Sequence, residues 1–131
     1  MCETTARVEV ILPLSTGAPA AARAFTRDSG CADHPAQLDE ALLLITELVT
    51  NSVRYGRPTL LLTIECLGSN LKVHVRDGSA ALPQQRPAHD DDEVGRGLAL
   101  VEALSDAWGV EPVSDEDGSG KVVWFELRPP A

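Results

Sequence analysis

The apolar run Ala41–Val53, ALLLITELVTNSV, constrains this chain more than any other stretch. Leu38, Leu42, Ile45 and Val49 recur at helical spacing, and Leu44, Leu48 and Val53 widen the apolar surface well beyond one stripe. A helix this apolar has to be packed over most of its circumference. Glu47 and Asn51 interrupt it four residues apart, which puts both on one helix face. A carboxylate and a carboxamide at such positions cost free energy unless something satisfies them. A metal ion carrying a polyphosphate is one such partner; solvent or a helix cap is the other.

The periodicity predicts a helix over 36–55, stopped by Gly56 and Pro58. Before it, Arg7 to Leu14 alternates as an edge or interface strand. Ser15 and Thr16 are candidate caps for a helix ending near Gly30, and 29–35 reads as a loop. After it come strands over 59–67 and 70–76, with Gly68-Ser69-Asn70 as a hairpin signal. The segment 77–96 has no periodicity and is about 20 residues long, a length that marks functional or mobile loops. A helix over 97–108, a strand over 108–113, a turn over 114–120 and a strand over 121–128 complete the chain. Val123, Phe125 and Leu127 face one way in that last strand, and Val122, Trp124 and Glu126 the other. Grouped helices and antiparallel strands predict an α+β fold. Its architecture is a two-layer sandwich, a mixed, mainly antiparallel sheet with helices on one face.

At 131 residues the chain is read as one domain, 1–131. A formal charge of −9 argues against direct nucleic-acid binding, which depends on Lys and Arg neutralising phosphates. Only Lys72 and Lys121 are lysines; the other basic residues are arginines. No apolar run reaches the ~18 residues of a membrane helix, and the N-terminus lacks a signal pattern. The expectation is a cytoplasmic protein without membrane contact. Cys2, Cys31 and Cys66 are odd in number and lack metal-ligand spacing, so they are expected as reduced packing or surface residues. His34, His74 and His89 are expected to be structural or superficial.

Three elements carry chemistry. Asn51 offers the hard carbonyl oxygen that Mg²⁺ prefers. Glu47, one turn earlier, is placed to accept a proton from an attacking hydroxyl or water. Asp77 ends a strand before Gly78. It can accept a hydrogen bond from an exocyclic amine such as that of adenine, or simply form a turn. Gly95-Arg96-Gly97 opens an apolar helix, where backbone approaches a ligand closely and free N–H groups attract phosphate.

Their order resembles the N, G1 and G2 boxes of the GHKL ATPase superfamily, whose members share the Bergerat nucleotide-binding fold. The stretches ELVTNSVRYG and GRGLALVEALSDAWGV, with the shortness of the chain, resemble its single-domain anti-sigma-factor serine/threonine kinases of actinobacterial type. Gly120-Lys121-Val122-Val123-Trp124-Phe125-Glu126 resembles the family's last strand. The resemblance implies ATP and Mg²⁺ as ligands, with Asn51 on the metal and Glu47 as general base. It implies Asp77 on the adenine amine and 79–96 as the ATP lid. Ser79, Gly95, Arg96, Gly97, Leu98 and Ala99 then line the nucleotide, with Arg54 reaching phosphate. The implied partners are a sigma factor and an STAS-type anti-anti-sigma protein, with a homodimer through the 7–14 edge. The alternative is a catalytically weak module of the same fold that acts by sequestering a partner. Three departures bear on that alternative. Ser79 and Ala81 stand where glycines are usual, Lys121 and Val122 stand where a threonine is usual, and the acidic run Asp90–Glu93 lies in the lid.

Overall fold

A computed structural model describes residues 6–31, 35–79, 93–115 and 118–129, with backbone alone at 93–97 and 115. The chain runs β1 (Ala6–Leu12), α1 (Ala18–Ser29), α2 (Pro35–Tyr55), β2 (Leu60–Leu67), β3 (Asn70–Asp77), α3 (Glu93–Leu104), β4 (Ala107–Asp115) and β5 (Gly118–Leu127). The strands form one sheet in the order β1-β2-β3-β5-β4. The fold is the expected α+β two-layer sandwich of Bergerat type. The described sheet is antiparallel at every pairing, however, and not mixed. Topology explains the difference. After α3, β4 runs in the same direction as β3 but lies at the outer edge. The return strand β5 fills the slot between them and opposes both. Between β2 and β3, Leu67 faces Asn70 across the two-residue turn Gly68-Ser69, where Gly68 adopts φ 65.

Strand alternation decides which face the helices cover. Leu60, Leu62 and Ile64 of β2, Leu71, Val73 and Val75 of β3, and Val123, Phe125 and Leu127 of β5 are buried. Against them pack Ala41, Leu44, Ile45, Leu48 and Val49 of α2, flanked by Ala18 and Ala22 of α1 and by Leu98 and Val101 of α3. Each large aliphatic or aromatic side chain in this layer contributes about 1.5–3 kcal/mol of burial. α2 is also tied at its start. The Gln37 side-chain amide donates to the carbonyls of Ser69 (3.0 Å) and Leu127 (3.1 Å), fixing the helix to the far end of the sheet. Among the described residues no helix is long and apolar enough to cross a membrane.

Several boundaries differ from the sequence reading. Neither Ser15 nor Thr16 caps α1: Gly17 holds the N-cap position without a side-chain hydrogen bond, and Pro19 sits in the first turn. Proline's fixed φ and missing N–H suit that position. α3 starts at Glu93 and stops at Leu104, not at 97 and 108. It stops because the Asp106 amide bonds the Glu126 carbonyl at 2.9 Å, which draws Ala107 and Trp108 into the ladder opposite Glu126 and Phe125. The expected turn over 114–120 is shorter, since β4 and β5 stay paired out to Asp115 and Gly118.

The open face of the sheet is polar. Glu9 accepts from the Thr63 hydroxyl at 3.0 Å, and the Lys72 ammonium lies 4.7 Å from the centre of the Trp124 ring. Gly109 leaves room for that indole, because a Cβ there would lie 2.7 Å from its ring nitrogen. His74 is a half-buried structural residue on this face, as expected. Burial lowers its pKa from 6.5, opposed by Glu65, whose carboxylate is 3.4 Å away. The unfolded chain therefore binds this proton more readily than the folded one. The associated stability is complete above 6.5 and falls as pH drops through that value towards the lower folded pKa. Accordingly, the loss of Tm between neutral pH and mildly acidic pH should be smaller in His74→Gln than in wild type.

The cysteines depart most from expectation. Cys31 and Cys66 are both buried and are joined as a disulfide, with S–S 2.11 Å and Cα–Cα 5.3 Å; they are not independent thiols. Gly30, left-handed at φ 66, turns the chain out of α1 so that Cys31 meets the helix-facing Cys66 at the end of β2. Cys2 lies outside the described residues. The bridge closes a loop with a sequence separation of 35. Restricting the unfolded chain over a loop of that size is worth about 3–4 kcal/mol. Reductant should lower Tm by roughly 10 °C, and Cys31→Ser should melt at the lower temperature with or without reductant.

Candidate functional site

The best-defined polar group on the helix-covered side is the carboxylate of Asp77, at the end of β3 and 2% exposed. Its Oδ1 accepts from the Ser79 amide at 2.8 Å and from Lys121 Nζ at 3.0 Å. Its Oδ2 accepts from the Ser52 hydroxyl at 3.0 Å and from the same Nζ at 3.1 Å. A carboxylate has about four lone-pair sites, and four donor contacts match them. The Lys121 side chain is 13% exposed, so the ion pair is largely desolvated. Register explains why the pair forms. Asp77 and Lys121 are direct cross-strand neighbours on β3 and β5, on the face that carries Val75 and Val123. Opposite charges at such positions attract.

Backbone crowding fixes this carboxylate further. A Cβ at Gly56 would lie 2.7 Å from Asp77 Oδ2, one at Gly120 would lie 2.3 Å from the Asp77 carbonyl oxygen, and one at Gly78 would lie 2.1 Å from the Pro58 carbonyl oxygen. Gly78 also donates its amide to the Arg57 carbonyl at 2.7 Å. The glycine after Asp77 thus serves the close approach of the 57–58 loop. Gly120, in the third position of β5, likewise makes room for β3.

Ser52 is the contact that joins two of the sequence elements. It follows Asn51 directly on α2 and reaches Asp77, so the amide-bearing turn of the helix sits beside the strand end. Sequence reasoning passed over it, because a serine on a helix carries no signal until its partner is known. Asn51 itself is half-buried, and its Oδ1 is buried with no hydrogen-bond partner among the described residues. Leaving such an acceptor unsatisfied costs about 1–3 kcal/mol. A hard oxygen in this state fits a Mg²⁺ ligand. Glu47 is half-buried one turn earlier on the same helix, and Arg54 is exposed one turn later.

α3 packs against α2. It anchors through Leu98, 3% exposed, and Val101, fully buried, while Ala99 faces outward. Because α3 begins at Glu93, Gly95 and Gly97 lie within its first turns and not ahead of them. The amides of Leu98 and Ala99 therefore fall inside the helical ladder and not among its free N-terminal donors. The side chain of Arg96 and most of the expected lid, 80–92, lie outside the described residues, as do Ala81 and Asp90–Asp92. Ser79 is buried at the edge of the site, 9% exposed, with its amide on Asp77.

An antiparallel sheet backed by helices, with an orphaned helix amide beside a buried strand-end carboxylate, defines a Bergerat-type sandwich. Residues 14–127 match the histidine kinase-like ATPase domain family, and the chain belongs to that family. It is similar in fold to the crystal structure of the RsbU and RsbW domains of Rv1364c from Mycobacterium tuberculosis, with a TM-score of 0.67 and 21% identity. That match covers 94% of this chain and 32% of the mycobacterial one. No curated protein matches the chain.

The crowding at β5 makes a direct prediction. Gly120→Ala forces a methyl group against backbone that has no rotamer to move. It should destabilise the fold by about 2–3 kcal/mol in denaturant titrations.

Proposed function

We propose that this chain is an ATP-binding regulatory protein of the anti-sigma-factor serine/threonine kinase type, a single domain over 1–131 with 79–96 as its lid. In one state it sequesters a sigma factor in the cytoplasm. In the other it transfers the γ-phosphoryl group of ATP to a Ser or Thr of an STAS-type anti-anti-sigma protein. The observation that carries this reading is the buried Oδ1 of Asn51, without a hydrogen-bond partner among the described residues and one turn from Glu47. Family membership and the fold shared with an RsbW domain support it.

On this reading Asn51 would hold Mg²⁺, which when bound neutralises charge on the phosphates. Glu47 accepts the proton of the partner's hydroxyl while that oxygen bonds to the γ-phosphorus. The bond from the γ-phosphorus to its bridging oxygen breaks, and ADP leaves with the electron pair. The first turn of α3, with Gly95 and Arg96, is assigned to the phosphates together with Arg54. Little covalent chemistry is asked of the protein; positioning and charge do most of the work.

One observation favours a second reading. The Lys121–Asp77 pair fills the carboxylate that the family uses for adenine, as expected of a binding module that has lost turnover. Phosphotransfer to candidate antagonist proteins separates the two. Under the kinase reading, Glu47→Ala should slow transfer by about 10²–10⁴-fold with nucleotide affinity nearly unchanged. Asn51→Ala should weaken Mg-nucleotide binding by about tenfold. Undiminished transfer in both variants removes the proposed roles. Absence of heat with any purine triphosphate selects the sequestering module. Edge strand β1, with Ile11 68% exposed, is the proposed homodimer seam. A monomeric mass by light scattering at tens of micromolar would count against it.

A further inference from the structure

The adenine amine is a hydrogen-bond donor, and a carboxylate recognises it by offering a free lone pair. Asp77 has none to offer. Its four sites are met by the Ser79 amide, the Ser52 hydroxyl and two contacts from Lys121 Nζ. Ser52 and Ser79 leave the base-recognising role intact in principle, since each takes a single site. Lys121 takes the remaining two. An adenine amine would then meet an ammonium with no acceptor between them, a donor facing a donor. Displacing the lysine would break an ion pair that is 13% exposed on one side and 3% on the other, and would strand its charge in a poorly solvated place.

An ammonium carries three N–H groups, and the two oxygens of one carboxylate subtend too narrow an angle at Nζ to take two of them, so a single N–H is shared between Oδ1 and Oδ2 of Asp77. The other two are left to give the base edge of the pocket a donor. We infer that Lys121 reverses the hydrogen-bond polarity of the base site, so that it accepts a purine with a carbonyl at the six position in preference to adenine. The inference rests on the reading that this pocket takes a purine nucleoside triphosphate, and it replaces the adenine of that reading with a 6-oxo purine. Lys121 is then a specificity-determining residue. Its ammonium is already seated by cross-strand register and needs no rearrangement to act.

Hypoxanthine differs from adenine at this edge alone, so inosine triphosphate is the matched competitor for ATP. Calorimetric titration of the full chain with each, in Mg²⁺, tests the inference. Wild type should bind Mg-ITP about tenfold or more tighter than Mg-ATP, the ratio that one mispaired polar contact produces. Lys121→Thr removes the ammonium and restores a free Asp77, so its order of preference should invert. Circular dichroism and melting of that variant establish that it is folded. If it is not, the wild-type ratio alone still decides. Asn51→Ala should weaken both nucleotides alike, because it acts on the metal and phosphates. Wild-type binding of ATP equal to or tighter than ITP overturns the inference and leaves the nucleotide reading standing. Binding of neither triphosphate, by wild type or variant, overturns both.

Discussion

The carboxylate of Asp77 is the point on which the functional end of this domain depends. Three separate pieces of backbone meet there: α2 through Ser52, β5 through Lys121, and the start of the long connection through the Ser79 amide. A buried charge is tolerable only when it is paired and hydrogen-bonded. The site therefore acts as a clasp between these pieces. At the opposite end of α2, Gln37 performs a neutral version of the same task by bonding to the carbonyls of Ser69 and Leu127. The helix that carries Glu47 and Asn51 is thereby held against the sheet at both ends.

Much of this architecture was legible in the order of residues. α2 was readable because Leu38, Leu42, Ile45 and Val49 repeat at helical spacing and Gly56 ends the repeat. β5 was readable because Val123, Phe125 and Leu127 alternate with Val122, Trp124 and Glu126. What could not be read was anything created by a meeting of distant residues. Register alone sets Lys121 opposite Asp77, and only the turn of the chain at Gly30 brings Cys31 to Cys66. The end of α3 was misplaced because Ala107 and Trp108 suit a helix locally, while the bond from Asp106 to Glu126 claims them for the sheet. The caps at Ser15 and Thr16 were plausible by type, but Pro19 fixes the helix start further along.

The candidate site divides into two halves that differ in how far their polar groups are satisfied. On the phosphate side, the features expected of a histidine kinase-like ATPase domain stand on α2 with an acceptor left unsatisfied. At the end of β3, by contrast, the Asp77 carboxylate is met by Ser52, the Ser79 amide and Lys121. Asn51 and Asp77 are borne by different elements, and among the described residues the Ser52 hydroxyl is the side-chain hydrogen bond that links α2 to the Asp77 carboxylate.

The crowding of Gly56, Gly78 and Gly120 around the clasp has a consequence for how such a pocket can change over generations. Side chains cannot be added at those three positions without colliding with the Asp77 carboxylate or with backbone. Gradual reshaping by small substitutions is closed off there. Variation is funnelled to the one cross-strand neighbour whose side chain already points at the carboxylate. A change of side chain at position 121 alters the partners of the carboxylate while the backbone packed around it stays in place.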